Sequence, residues 1–374
     1  MSTRTRRTAF GVAFTFWFFG LGGANCRSQD GTASVRSDQD NNGVPDDLEL
    51  RLANEFAPIL FYDADEPNLP TSIERFLSNT ELWYFSEYCR PQQVRISKPA
   101  GAQLSQAVRP SCRVGGELVD SQGTRSPGKK STFYLSNVPE RERRGTEDAE
   151  AWVTYVHAYR NDLGGVTLQF WRLYAYNSSY LMGFHIDFGT HGGDWEAIHV
   201  VLKPAASGGL TPILIRLLGH RDIITRPWRD VIAEGGHPMI LCEKGSHTSV
   251  LMTKSDLSRR LRRIEQKSWT GGSVRWPSGK VSNSGLLVMV GQKTSPRAGM
   301  EWLRYSGLWG TRENSGPFPF YRSGYWGPAF NETGLRNDGF VSAWCEGIAP
   351  MKPASGGSEG LVVEKECYAD HVVP

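Results

Sequence analysis

Between residues 152 and 291 apolar and polar side chains alternate with a period of two. Val166, Leu168, Phe170, Tyr174 and Tyr176 interleave with Thr167, Gln169, Ala175 and Asn177. Alternation of this kind places successive side chains on opposite faces of a strand. Further segments with strand character are 152–159, 195–203, 212–218, 239–243, 249–253 and 286–290, each bounded by Gly, Pro or Asp clusters. The spacing predicts a mainly β chain, an antiparallel β-sandwich or jelly-roll-like body with a few short helices. One helical stripe interrupts it: Leu257, Leu261 and Ile264 among arginines predict an amphipathic helix over 254–267, laid on the sandwich.

The first residues break the pattern. Arg4, Arg6 and Arg7 precede an uncharged apolar run over 9–21, which reads as a signal peptide ending at residue 24. The run falls short of the 20 or so apolar residues a membrane span needs, and no later charge-free stretch reaches that length. A polar linker over 25–37 follows. The chain is therefore expected to be secreted or held in the cell envelope, in the periplasm or at the surface. Gly22 and Ala24 suit cleavage before Asn25; the alternative, cleavage before Cys26 with acylation of that thiol, would make a lipoprotein held by its acyl chains.

The 41 glycines and 21 prolines favour turns over long helices, and a net charge of +3 gives no electrostatic footprint for nucleic acid. The six cysteines, Cys26, Cys89, Cys112, Cys242, Cys345 and Cys367, form no CxxC pair. In an oxidising compartment they read as disulfide formers, with Cys89–Cys112 and Cys345–Cys367 closing short loops and the pairing left open.

Between linker and body, Asp38, Asp40, Asn42, Gly43, Val44, Asp46 and Glu49 match positions 1, 3, 5, 6, 7, 9 and 12 of an EF-hand loop. Calcium requires this arrangement of hard oxygens at alternating positions, a glycine at the sharp turn, a main-chain carbonyl (here Val44) and a closing bidentate carboxylate. An exiting helix is legible, with Leu48, Leu52 and Phe56 on one face, and the entering helix is missing. The loop and helix (38–56) thus form half an EF-hand, similar to the single loops of dockerins, with a metal-free acidic linker as the alternative. The body is expected over 57–350 and a tail over 351–374.

Within the body the densest polar group is His191-Gly192-Gly193-Asp194-Trp195-Glu196. Asp194 and Glu196, two apart on a strand, share a face while Trp195 takes the other, and like charges so close call for a cation or a shared proton. His191, arriving over flexible glycines, adds a nitrogen; two carboxylates and an imidazole suit calcium, magnesium or manganese. The alternative is that the acids pair with arginines. His247, in a Gly-Ser turn before a strand, is the candidate partner behind these ligands or general base. Trp309 and Trp326 lie in an echoed Ser-Gly-Leu/Tyr-Trp-Gly pattern and are the candidate sugar- or lipid-stacking rings, unless they fill the core.

Phe56-Ala57-Pro58-Ile59-Leu60-Phe61, with Asp65-Glu66-Pro67 and Pro70-Thr71-Ser72 behind it, resembles the family of vacuolar protein sorting-associated protein 62. Tyr174, Tyr176 and Asn177, the stretch from His191 to Glu196, His237-Pro238, Gly245-Ser246-His247, and the Gly-Pro pairs at Gly316 and Gly327 extend the resemblance over about 56–328. That family implies no established reaction. More distantly, the H-x-x-D-W-E spacing is similar to the cation site of the necrosis- and ethylene-inducing plant cytolysins, whose β-sandwich binds membrane sphingolipids. Those proteins carry a second histidine where this chain has Gly193, and Asp187 is the nearest counterpart of their upstream aspartate.

Three functions compete on these residues. The first is an exported protein that recognises a glycan or membrane-lipid head group through a divalent cation. The second is a metal-dependent hydrolase with His247 moving protons. The third is a structural protein whose metal loops act as staples.

Overall fold

The computed structural model describes residues 37–63, 65–86, 93–107, 112–114, 117–119, 131–136, 138–178, 180–181, 184–185, 190–218, 223–252, 273–277, 287–310, 326–330, 332–336 and 339–342. The leader, Cys26, the expected helix over 254–267, the tail, Asp187, and the expected disulfides, through Cys89, Cys345 and Cys367, lie outside them.

The fold is mainly β. A central sheet runs in the order Ile223–Pro227, Leu210–Leu218, His191–Pro204, Val166–Asn177, Thr154–Arg160, Leu287–Met289, with the short Pro70–Thr71 strand also on Val166–Asn177. A second sheet joins Ala233–Glu234, His237–Cys242, Ile59–Asp63 and Ser273–Pro277, with Ser249–Leu251 on His237–Cys242. Pairing is antiparallel except for Ile59–Asp63 on His237–Cys242 and Leu287–Met289 on Thr154–Arg160. A third sheet, Gln93–Ser97, Glu81–Ser86 and Ser131–Ser136, was not foreseen from the pattern.

Each expected strand of the body appears within a few residues of its place, and the one opening the polar motif is longer, His191–Pro204. Its two faces explain the layers. Trp171, Leu173, Ala175, Trp195 and Ala197 turn one way, into a core with Ile73, Phe76, Leu104, Trp302 and Trp309. Tyr174, Ile198, Ile215 and Leu217 turn the other way, against Leu60, Tyr62, Ile240 and Cys242 of the second sheet. With apolar cover on both sides the long strands are buried almost throughout, at roughly 1.5–3 kcal/mol for each large apolar side chain taken from water.

The helix after the acidic turn, Asp46–Phe56, belongs to this core. Leu52, Ala53 and Phe56 cover Val156, Leu168, Phe170 and Val200 of the central sheet. Asp46, Asp47 and Glu49 in its first turn complement the positive end of the helix dipole.

Candidate functional site

Strand alternation delivers Asp194 and Glu196 to the face that meets the second sheet, as Trp195 enters the opposite core. Both carboxylates are buried. Glu196 stands directly across from Arg172 on the neighbouring strand, where opposite charges on one face attract. Arg172 is itself buried and donates from Nη2 to Ser249 Oγ at 3.0 Å.

His191 opens the same strand. Regular alternation would send it to the Trp195 face, yet its Nε2 lies 3.8 Å from Asp194 Oδ1. Gly193 provides the reason. Its φ of +62 departs from strand geometry, and a Cβ there would lie 1.8 Å from the Trp309 carbonyl oxygen. Of the two glycines expected to be a flexible approach, Gly193 is instead a tightly packed twist, because only a residue without a side chain fits against the Trp309 backbone, whereas a Cβ on Gly192 would meet its nearest neighbours at 3.8 Å.

The turn between His237–Cys242 and Ser249–Leu251 brings His247 in from the second sheet. Its Nδ1 meets Asp194 Oδ2 at 2.8 Å, and its Nε2 meets the Asn68 carbonyl at 2.9 Å with Glu66 Oε1 at 3.5 Å. The Tyr174 ring stacks on the imidazole, centroids 3.7 Å apart at 5°. Asn177 Nδ2 donates to the same Asp194 oxygen at 3.2 Å. Glu66 in turn accepts from the backbone of Gly245 (2.8 Å) and Asn68 (2.9 Å), which fixes the turn that carries His247. The left-handed φ of His247, +59, is unusual for a side-chain-bearing residue and is held by this web.

Charge follows from these contacts. Burial disfavours the charged imidazole of His247, but its bonds to Asp194 and Glu66, and their charges, outweigh burial and push it up to about 9. Both ring nitrogens then donate, and a buried ring so committed orients Asp194 rather than accepting a proton from outside. Burial, followed by the charge of Asp194, drives the Glu196 carboxyl well above the usual carboxylate range, against the pull of Arg172 and His247. Three acids, Asp194, Glu196 and Glu66, therefore surround two cations, His247 and Arg172. A proton or an added cation balances the remainder. One imidazole and two carboxylates are donors of the kind a hard or borderline divalent ion takes, but the structure brings only His191 and Asp194 close; among the described residues the three such groups whose ligand atoms lie within 4.8 Å of one another are Asp40, Asp46 and Glu49.

The acidic turn is a separate group. Asp40, Asp46 and Glu49 each place a carboxylate oxygen within 4.8 Å of the others. Asp38 accepts from the backbone of Asn42 (3.2 Å) and Gly43 (3.0 Å), and Asn42 Oδ1 accepts from Val44 at 2.7 Å. Burial lifts the carboxyls of Asp40 to about 6 and Glu49 to about 7.

Trp309 is fully buried among Phe76, Trp195, Trp302 and Tyr305, so its ring is part of the core. Trp326 is partly buried and bridges Leu308. His199 sits on the Trp195 side of the strand, as alternation requires, and His237 Nδ1 bonds to the Ala57 carbonyl at 2.8 Å. The sequence reading missed Glu66, Arg172 and Asn177 as members of the site. Arg172, a charge inside an apolar strand, was the signal available for one of them.

No protein-family model matches this chain, and no curated protein sequence does. The resemblance to vacuolar protein sorting-associated protein 62 thus rests on the quoted residues alone. Among solved structures it is similar to the crystal structure of non-toxic HaNLP3 protein, 12% identical over 72% of this chain and 86% of that chain, at a TM-score of 0.31. It is similar also to a mutant of NLPPya, 14% identical over 42% of this chain and 58% of that chain, at a TM-score of 0.25. Both are necrosis- and ethylene-inducing proteins.

Proposed function

We propose that this is an exported β-sandwich protein that binds a divalent cation at His191, Asp194 and Glu196 and uses it to recognise the polar head group of a glycan or membrane lipid. The observation that carries the reading is the fixing of Asp194: His247 and Asn177 hold Oδ2, and Oδ1 faces His191 at 3.8 Å. A carboxylate anchored through one oxygen by a partner behind it is the usual way a protein aims the other oxygen at a metal. Export rests on the basic and apolar leader, and calcium, magnesium and manganese are the ions the donor set accommodates.

The hydrolase alternative needs His247 to shuttle protons, and the commitment of both its ring nitrogens in a buried position favours binding over catalysis. Liposome flotation and glycan arrays, each run with calcium and with chelator on the mature protein and its Asp194→Asn variant, test the reading. Chelator-sensitive binding that Asp194→Asn loses supports it. Binding that ignores the chelator, or no binding to either surface, rejects it.

A further inference from the structure

The acidic turn before the first helix is not used by the head-group reading. Asp40, Asp46 and Glu49 bring three carboxylates together within it, with Asp38 tying its backbone, and the guanidinium against them is that of Arg297, 251 residues along the chain from Asp46. Its Nη2 donates to Asp46 Oδ1 at 2.6 Å and to Glu49 Oε2. The fit is partial. Asp40 is 2% exposed, yet its Oδ1 has no hydrogen-bond partner among the described residues, and neither does Asp46 Oδ2. The NH₂ of Asn42 fills part of the remaining space, donating to Asp40 Oδ2 (3.1 Å), to Glu49 Oε1 and to the Ala158 carbonyl (2.9 Å).

We propose that residues 38–49 form a calcium seat held closed by Arg297, a tethered cation that the calcium ion displaces. The turn is already shaped for an ion: Asn41 and Gly43 take positive φ, and Asp38 ties the backbone of Asn42 and Gly43. Calcium accepts six to eight oxygens at flexible geometry, so it satisfies carboxylates that one planar guanidinium leaves unmet. Arg297 has a route out, because its side chain is 19% exposed. Asn42 must turn its amide so that oxygen replaces NH₂ at the centre, which gives up the bond to Ala158 on the Thr154–Arg160 strand. Calcium entry therefore exchanges two tethers, Arg297 and Asn42, for one ion.

Calorimetric titration with calcium chloride of the full mature chain carrying Asp194→Asn, which silences the head-group site, tests the exchange. On that parent, Arg297→Gln, which removes the competing cation and keeps a polar side chain, should bind calcium about tenfold more tightly than the parent with Arg297 intact, since a charge-assisted hydrogen bond is worth about one such factor. Arg297→Lys keeps the charge without the fork and should fall between the two, and Asp40→Asn should lose the titration while circular dichroism stays native. Should Arg297→Gln fail to fold, the intermediate affinity of Arg297→Lys carries the test. Equal or weaker binding by the folded Arg297 variants overturns the proposal, as do an absence of calcium heat in all of them at millimolar concentration and an equally strong titration by magnesium. Because the Asp194→Asn parent already lacks the head-group ion, the outcome at residues 38–49 is read apart from that of the head-group site.

Discussion

His247 donates from Nδ1 to Asp194 Oδ2 at 2.8 Å while its own backbone sits at φ +59. A side-chain-bearing residue pays about 1–3 kcal/mol for such a conformation. The contact is kept because the imidazolium lies between Asp194 and Glu66, with Tyr174 stacked on it. Two sheets are joined through this one ring.

Removing the ring should therefore cost more than a hydrogen bond. His247→Ala leaves two buried carboxylates facing each other, and loss of one member of a buried pair typically destabilises by about 3–5 kcal/mol. His247→Asn tolerates the left-handed backbone and retains a donor, so it should recover part of that loss. Urea denaturation of both variants is the measurement; equal loss would show that the backbone and the amide donor contribute nothing.

Gly193→Ala should unfold the corner that brings His191 to Asp194. The positive φ alone costs about 1–3 kcal/mol, and the clash with the Trp309 carbonyl oxygen adds an overpacking cost of about 1–3 kcal/mol. A melting temperature within 2 or so degrees of the parent, on the scale by which 1 kcal/mol moves a domain by several degrees, would contradict the packing described.

The two tryptophans of the echoed motif should separate cleanly. Trp309→Ala opens a cavity in the core and should destabilise by about 3–5 kcal/mol, whereas Trp326→Ala, at a partly buried position, should cost about 1 kcal/mol. Chemical denaturation reads both. Similar losses would place the two rings in equivalent environments.

Acid should weaken the fold partly through His199. Burial, then the charges of Arg216 across the strand and of His157, hold its imidazole well below the ordinary value, and neither ring nitrogen has a hydrogen-bond partner among the described residues. The folded state thus keeps His199 neutral, while the unfolded chain takes up a proton below about pH 6.5. Stability present above that pH is lost on acidification at up to about 1.4 kcal/mol per pH unit. In His199→Leu the fall between pH 7.5 and pH 5 should be shallower than in the parent; parallel curves would show that His199 does not contribute.

The β architecture was legible because alternation survives along Val166–Asn177 and His191–Pro204, and because Asp194, Trp195 and Glu196 must alternate faces. The third sheet was hidden: Glu81–Ser86 carries the run Leu82, Trp83, Tyr84 and Phe85, which has no polar alternation to mark it. The site was half legible. Asp194 and Glu196 are neighbours in sequence, whereas Glu66, Arg172 and His247 reach them only through strand pairing and a turn from the second sheet. The approach of His191 could not be read from spacing, since it depends on a backbone twist at Gly193 that contradicts the alternation rule. Arg297 is out of reach of any local pattern, about 250 residues from the acids it contacts.

The helix that follows the acidic turn has a practical consequence for where this protein can be cut. By motif it looks like a detachable module ahead of the body, but Leu52, Ala53 and Phe56 roof the lower half of the central sheet. A version starting at Ala57 would bare Val156, Phe170 and Val200 to water as one continuous greasy strip, and such strips drive self-association. Proteolysis within the helix would do the same, so calcium-dependent protection of this segment would guard solubility as well as shape.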